Sequence, residues 1–180
     1  MIRRLTFGFL LAAADALLAA GPAEIVIDFE HAEIGKPVPT WSDRGVVFTL
    51  ASAPVNSKAI GRVMFFPYIS TDRKGILNAM ANEQAIPLQA KFPHGASSVT
   101  LVLWGSTGCA AKLQAFDAHD KLVDEASVAT VPVRKAPADP VPQFELSVKA
   151  PEIAYIRFSG PRNGEFLAAD ELRFVPLARR

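Results

Sequence analysis

The sequence predicts an all-β fold, a sandwich of two antiparallel sheets, on three observations. From Ile25 onward, short runs rich in Val, Ile and Phe are punctuated by Gly, Pro, Asn and Asp, the rhythm of many short strands rather than of strands alternating with helices. No stretch carries a convincing amphipathic-helix period. The first run, Ile25 to Glu30, and the last, Glu171 to Val175, alternate apolar and polar side chains as strands covered on one side do. Paired antiparallel, the end of the first (Glu30) meets the start of the last (Asp170), and the sandwich closes on its two ends.

Residues 1–23 precede that fold. Arg3 and Arg4 stand before an apolar run from Leu5 to Ala20, and Ala19, Ala20, Gly21 and Ala23 offer small residues for cleavage, the layout of an export signal. Asp15 interrupts the run and argues against a retained membrane span, which needs about 20 uninterrupted apolar residues. The expected product is a single domain of residues 24–180, periplasmic or secreted, with no membrane span. Loss of Arg3, Arg4 and Asp15 takes the formal charge of the whole chain from +1 to zero. A neutral chain with scattered Lys and Arg has no electrostatic case for nucleic acid. Cys109, the one cysteine, excludes an internal disulfide and reads as a small buried hydrophobe.

Along the mature chain the expected strands are 25–30, 46–50, 63–67, 86–92, 98–104, 111–117, 122–130, 144–148, 153–159 and 171–175. Turn chemistry separates them at Gly35-Lys36-Pro37, Pro93-His94-Gly95, Ala118 to Lys121 and Gly160 to Gly164. Residues 75–84 read either as one helical turn or as a loop crossing between sheets. Val131 to Pro142, with Pro132, Pro137, Pro140 and Pro142, cannot join a central ladder and reads as an extended surface loop.

The chain resembles secreted bacterial jelly-roll domains of the carbohydrate-binding-module or galactose-binding-like type. The residues that carry the resemblance are Ile27-Asp28-Phe29-Glu30, Gly45-Val46-Val47-Phe48, Phe92-Pro93-His94-Gly95-Ala96-Ser97-Ser98-Val99, Leu113 to Ala118, Ile153 to Gly160 and Ala169 to Phe174. It implies a jelly-roll β-sandwich, a carbohydrate ligand and a structural calcium between the first and last strands, which by resemblance falls on Glu30 and Asp170. Lys121 departs from the pattern, standing where a turn glycine is usual.

The residues themselves give a parallel reading. Strict alternation puts Asp170 on the apolar side with Leu172 and Phe174, where an unpaired carboxylate is costly. Either a hard cation such as calcium or a salt bridge from Arg173, Arg157 or Arg44 answers that charge. No nucleophile and base constellation is visible: His31, His94 and His119 fall in apparent turns without a motif, and Asp117, Asp120, Asp124 and Glu125 crowd one hairpin. Sugar faces stack on exposed aromatic rings, so Trp104, opposite the aliphatic side of Val99, Leu101 and Leu103, is the first ligand-binding candidate. Its alternative is a Trp104 that packs because both sides of the strand are covered. Tyr68 and Arg73 mark a loop that lines either a sugar cleft or the sandwich rim, whereas Trp41 reads as a packing aromatic. The expected function is a non-catalytic exported binding module, with a structural or adhesive exported domain as the alternative and a hydrolase last.

Overall fold

The computed structural model describes residues 22–33, 41–51, 87–104, 110–132, 135–136, 139, 142–159 and 169–178, together with the backbone of 63–65, 74–77, 79–81, 84–86, 105 and 167–168. The export segment up to residue 21, Tyr68, Arg73 and Cys109 lie outside the described residues. The strands are β1 (Ile25–Ile27), β2 (Ser42–Asp43), β3 (Val46–Leu50), β4 (Val63–Phe65), β5 (Lys74–Leu77), β6 (Ala79–Ala81), β7 (Gln84–Ile86), β8 (Leu88–Gly105), β9 (Ala111–Phe116), β10 (Leu122–Val128), β11 (Phe144–Ser159) and β12 (Leu167–Pro176). All pairings are antiparallel, and no helix among the described residues is long and apolar enough to cross a membrane.

Two long strands organise the rest. The first part of β8, Leu88 to Lys91, pairs with β3 on one side and with Tyr155 to Phe158 of β11 on the other. Its last part, Ser98 to Gly105, pairs with Phe144 to Lys149 of β11 and with β12. Each strand therefore serves both layers, bending between Phe92 and Ser97 in β8 and between Lys149 and Tyr155 in β11, where the register shifts. Bulges and bends of this kind let strands switch sheets at a sandwich corner.

The first layer runs β2-β3-β8-β11-β9-β10; the second runs β11-β8-β12-β5-β4, with β1 also on β12 and β6-β7 as a separate hairpin. Four expected strands, 86–92 with 98–104 and 144–148 with 153–159, are thus two. The expected turn at Pro93-His94-Gly95, and the gap at 149–152 between the expected strands 144–148 and 153–159, prove to be bends. Gly95 makes the first bend possible: its φ is +71°, and a Cβ there would come within 2.9 Å of Leu177. The segment 75–84 is neither helical turn nor plain loop, since β5 and the β6-β7 hairpin occupy most of it.

The interior is one apolar cluster drawn from both layers: Phe48, Leu88, Leu113, Ile156 and Phe158 from the first; Ile27, Val99, Leu101, Leu103, Leu172 and Phe174 from the second. The expected closure by the terminal strands holds, with Ile25 opposite Phe174 and Ile27 opposite Leu172. Ile27, Phe29, Leu172 and Phe174 are all buried, as their alternation required. Trp41 packs against the cluster, its ring 5.4 Å from Phe29 and 5.0 Å from Phe48.

Candidate functional site

Polar and aromatic side chains gather on the outward side of the first layer. Alternation along β3, β8, β11 and β9 sends Phe48, Ala90, Ile156 and Ala115 into the core and leaves their sequence neighbours on the other side. The register sets those neighbours in two adjoining rows across the strands. One row is Val47, Lys91, Tyr155 and Phe116; the next is Thr49, Gln89, Arg157, Gln114 and Glu125.

Tyr155 and Phe116, directly opposite each other, stack with centroids 4.9 Å apart and planes within 9°. The Arg157 guanidinium lies over both rings, 4.9 Å from the Phe116 centroid and 5.1 Å from that of Tyr155. Its Nε donates to Gln89 Oε1 at 3.0 Å, and Gln89 is only 7% exposed, so the acceptor is fixed. The Tyr155 hydroxyl donates to Asp120 Oδ1 at 2.8 Å. Burial first, and then this bond, push the Tyr155 phenol above the ordinary tyrosine value.

Asp120 is presented by the turn between β9 and β10, where it takes the left-handed conformation at φ 62° beside Lys121. Asp117 holds that turn: its Oδ1 accepts from the backbone N–H of His119 at 2.8 Å and of Lys121 at 3.0 Å. The Lys121 bond is the main reason the Asp117 carboxyl sits below its usual range. Glu125 accepts from Gln114 Nε2 at 2.7 Å and pairs with Lys112 at 3.1 Å, and Lys112 foremost lowers its carboxyl too. The hairpin carboxylates are therefore organised by hydrogen bonds, although Asp120 and Glu125 remain exposed. Asp124 likewise reaches across to accept the Lys149 N–H at 2.7 Å, at the start of the interruption in the β11 ladder.

Beside Tyr155 a groove of about 440 Å³ opens between this turn and the β8 bend. Val47, Pro93, Ala118 and Ala154 supply apolar wall, and Lys91 and Asp120 supply charge of both signs. Apolar surface with a few fixed polar groups is the make-up of a small-ligand site. Its two aromatic residues, Phe92 and Tyr155, are buried, so its chemistry is that of hydrogen bonding and charge beside an apolar wall. His31, His94 and His119 are exposed and lie in separate places along the chain.

Trp104 does lie on the outward side of β8, as alternation requires, and is absent from the core cluster. It is nonetheless 1% exposed, so it presents no ring face to a sugar, and the stacking role is corrected to packing. Alternation chooses the side of a sheet and is silent on what is laid over that side. Tyr68 and Arg73 cannot be placed, being outside the described residues.

Asp170 is 2% exposed but does not continue the alternation of Leu172 and Phe174. The β12–β8 register shifts between Ala169 and Glu171, making Asp170 the extra residue of a bulge. Its Oδ2 accepts from Gln143 Nε2 at 2.6 Å. Of the three arginines expected as partners, Arg157 lies on Gln89, Arg173 on Glu171 and, at 3.2 Å, on Glu145, and Arg44 is exposed in the turn beside Gly45. Glu30 leaves the strand line because β1 ends at Ile27 and Phe29 turns the backbone at φ 61°. Asp28 Oδ1 then accepts the Glu30 N–H at 3.1 Å. Among the described residues no group of three or more His, Cys, Asp or Glu side chains assembles to hold a metal. A calcium joining Glu30 and Asp170 thus needs backbone carbonyls, water or residues outside those described to complete its shell.

Tyr155, Phe116 and Gln89, missed in the sequence, and Arg157, expected there only as a partner for Asp170, carried a signal. Tyr155-Ile156-Arg157-Phe158 and Leu113-Gln114-Ala115-Phe116 alternate cleanly, but only the register shows that their outward members meet.

No protein-family model matches the chain, and no curated protein matches it by sequence. Solved structures do. The K2 cleaved adhesin domain of Lys-gingipain matches at 14% identity and TM-score 0.52, over 85% of this chain and 98% of that one. An arabinose-bound GH51 α-L-arabinofuranosidase matches at 12% identity and TM-score 0.52, over 87% of this chain but only 27% of the enzyme. A family 61 carbohydrate-binding module in complex with β-1,4-galactotriose matches at 13% identity and TM-score 0.44, over 73% of this chain and 89% of that one. The likeness to the first two is one of fold: the chain is an all-β sandwich of the jelly-roll kind its sequence resembles.

Proposed function

We propose that the mature chain is an exported, non-catalytic module that binds carbohydrate on the outward side of its first layer. The carrying observation is the combination there of a groove beside Tyr155 with donors and acceptors fixed on a rigid sheet: Lys91 and Asp120 at the groove, Arg157, Gln89 and Gln114 along the next row. The Tyr155 ring is itself buried, at 6% exposed, so what suits a sugar and its hydroxyls is the apolar wall of Val47, Pro93, Ala118 and Ala154 flanked by these polar groups. The neighbours of shared fold, one an arabinose-bound enzyme and one an adhesin domain, illustrate this reading and its rival and decide neither. A glycan array with residues 24–180 tests it. Specific binding that Lys91→Ala weakens supports the site, since Lys91 is exposed and its truncation leaves the core untouched. Absence of binding to every glycan leaves the structural or adhesive domain without a small ligand.

Export and calcium are two further proposals. Mass spectrometry of the native protein should find a chain beginning between Ala20 and Glu24, and a chain still beginning at Met1 would overturn export. Calcium between Glu30 and Asp170 would relieve repulsion between carboxylates where β1 meets β12, and would stabilise the fold by mass action. A melting temperature that falls with excess chelator in the wild type, and is insensitive in Asp170→Asn, places the ion. A wild type indifferent to chelator removes it and leaves Asp170 to protein partners such as the Gln143 amide.

A further inference from the structure

Arg157 is the one charge on the outward side of the first layer that is both fixed in orientation and held without a carboxylate among the described residues. Its Nε bond goes to a neutral amide and its flat side lies on two rings. The carboxylate in its own row, Glu125, is taken by Gln114 and Lys112, and Asp120 accepts the Tyr155 hydroxyl. Arg173, outward on the second layer, is by contrast answered by Glu145 and Glu171. The remaining N–H donors of the Arg157 guanidinium make no bond among the described residues, although the group is half-buried and its plane is set. Lys91 stands diagonally from it across β8 and β11, exposed and without an ion pair among the described residues, although Asp120 lines the same groove.

A planar fork of donors, pre-oriented and backed by rings that exclude water, matches the two coplanar oxygens of a carboxylate. The geometry points to a carboxylated saccharide, one bearing uronic-acid units, as the ligand of this side. The uronate carboxylate takes the Arg157 fork, Lys91 adds a second positive charge, and the sugar ring extends toward the groove beside Tyr155. Pre-organisation favours this ligand, because the side chain loses little further freedom on binding. The inference rests on the reading of this side as a saccharide site and adds the sign of the ligand's charge.

The test is calorimetric titration of residues 24–180 with oligogalacturonate and oligoguluronate, each beside its carboxyl-reduced counterpart, and with a sulfated neutral oligosaccharide. The acid form should bind at least about tenfold more tightly than the reduced form, a ratio equivalent to about 1.4 kcal/mol. Arg157→Lys, which keeps charge and stem but not the fork, should lose most of that preference while melting as the wild type does. Arg173→Gln should keep it. Equal binding of acid and reduced forms, or an unchanged preference in Arg157→Lys, overturns the carboxylate assignment and leaves the carbohydrate reading standing. Binding of the sulfated form alone also overturns it. Failure of every saccharide to bind overturns both readings together.

Discussion

The two outward sides of the sandwich are built largely from the same two strands, β8 and β11, and differ in how their polar groups are used. On the second layer the groups answer one another: Thr100 Oγ1 and Ser147 Oγ lie 2.8 Å apart, Arg173 bridges Glu145 and Glu171, and Trp104 is covered. On the first, the carboxylates bond to turn amides, a phenol and a lysine, while Arg157 and Lys91 make no ion pair among the described residues, Asp120 being the nearest charge of opposite sign in the groove. A self-satisfied network gains little from a ligand; fixed but unanswered donors gain a great deal. Polar content alone does not separate a site from an ordinary surface here. The state of satisfaction does.

The comparison breaks most visibly in the core beneath each side. Phe158 lies next to Arg157 in β11, and Phe174 packs on Phe92 at 5.0 Å under the second layer. Either one truncated to Ala should cost about 3–5 kcal/mol in denaturant unfolding. Below the unfolding transition, Phe158→Ala should also weaken saccharide binding, whereas Phe174→Ala should spare it. Equal losses of binding would show that the two sides are not independent, and a loss within about 0.5 kcal/mol at either position would refute its burial.

That core was legible because Ile27, Phe29, Leu172 and Phe174 sit in runs whose period assigns them a side, and antiparallel pairing of the chain ends follows from closing the sandwich. The continuity of β8 and β11 was not legible. Pro93, Gly95 and Pro151 carry local turn chemistry, and only tertiary pairing on both flanks keeps the strands unbroken through them. The site was half legible for the same reason. The outward position of Tyr155 and Arg157 is local, but their meeting with Phe116 and Gln89 depends on registers between segments up to 68 residues apart. Trp104 shows the converse, a correct side with an unreadable cover. Asp170 shows a third limit, since a single bulge residue shifts the alternation that placed it.

A finer contrast lies in how the two arginines respond to salt. Arg173→Gln removes partly exposed ion pairs and should cost about 0.2–1 kcal/mol at low ionic strength, shrinking as salt screens the charges. Arg157→Gln removes contact with two ring faces, about 0.5–1 kcal/mol, in a half-buried setting that salt reaches less. Urea unfolding of both variants at about 0.01 M and about 1 M ionic strength, where the Debye length falls from ~30 to ~3 Å, separates them. Identical responses would mean that the Arg157 guanidinium is as solvated as that of Arg173, and its fixed orientation would be lost.

The smallest expected effect is at Tyr155, whose hydroxyl closes the groove onto Asp120 at 2.8 Å. Tyr155→Phe keeps the ring against Phe116 and removes only that bond, so it should cost about 0.5 kcal/mol near neutrality, the low end for a hydrogen bond. The pH dependence carries the sharper information. Burial, followed by the bond to Asp120, raises the Tyr155 phenol above its ordinary value of 10.0, so the folded state favours the neutral form. The stability this contributes is fully present below pH 10.0 and is lost as pH rises from there through the raised folded value, where the unfolded chain gives up the proton first. The difference in unfolding free energy between wild type and Tyr155→Phe should therefore stay level from about pH 7 to about pH 9 and then narrow. A difference that widens above pH 10.0 would mean that the phenolate is favoured in the folded state. Arg157, whose charge pulls the Tyr155 phenol downward, would then outweigh burial and Asp120, and the groove would have to be rebuilt around an anionic tyrosine paired with the arginine assigned to the ligand.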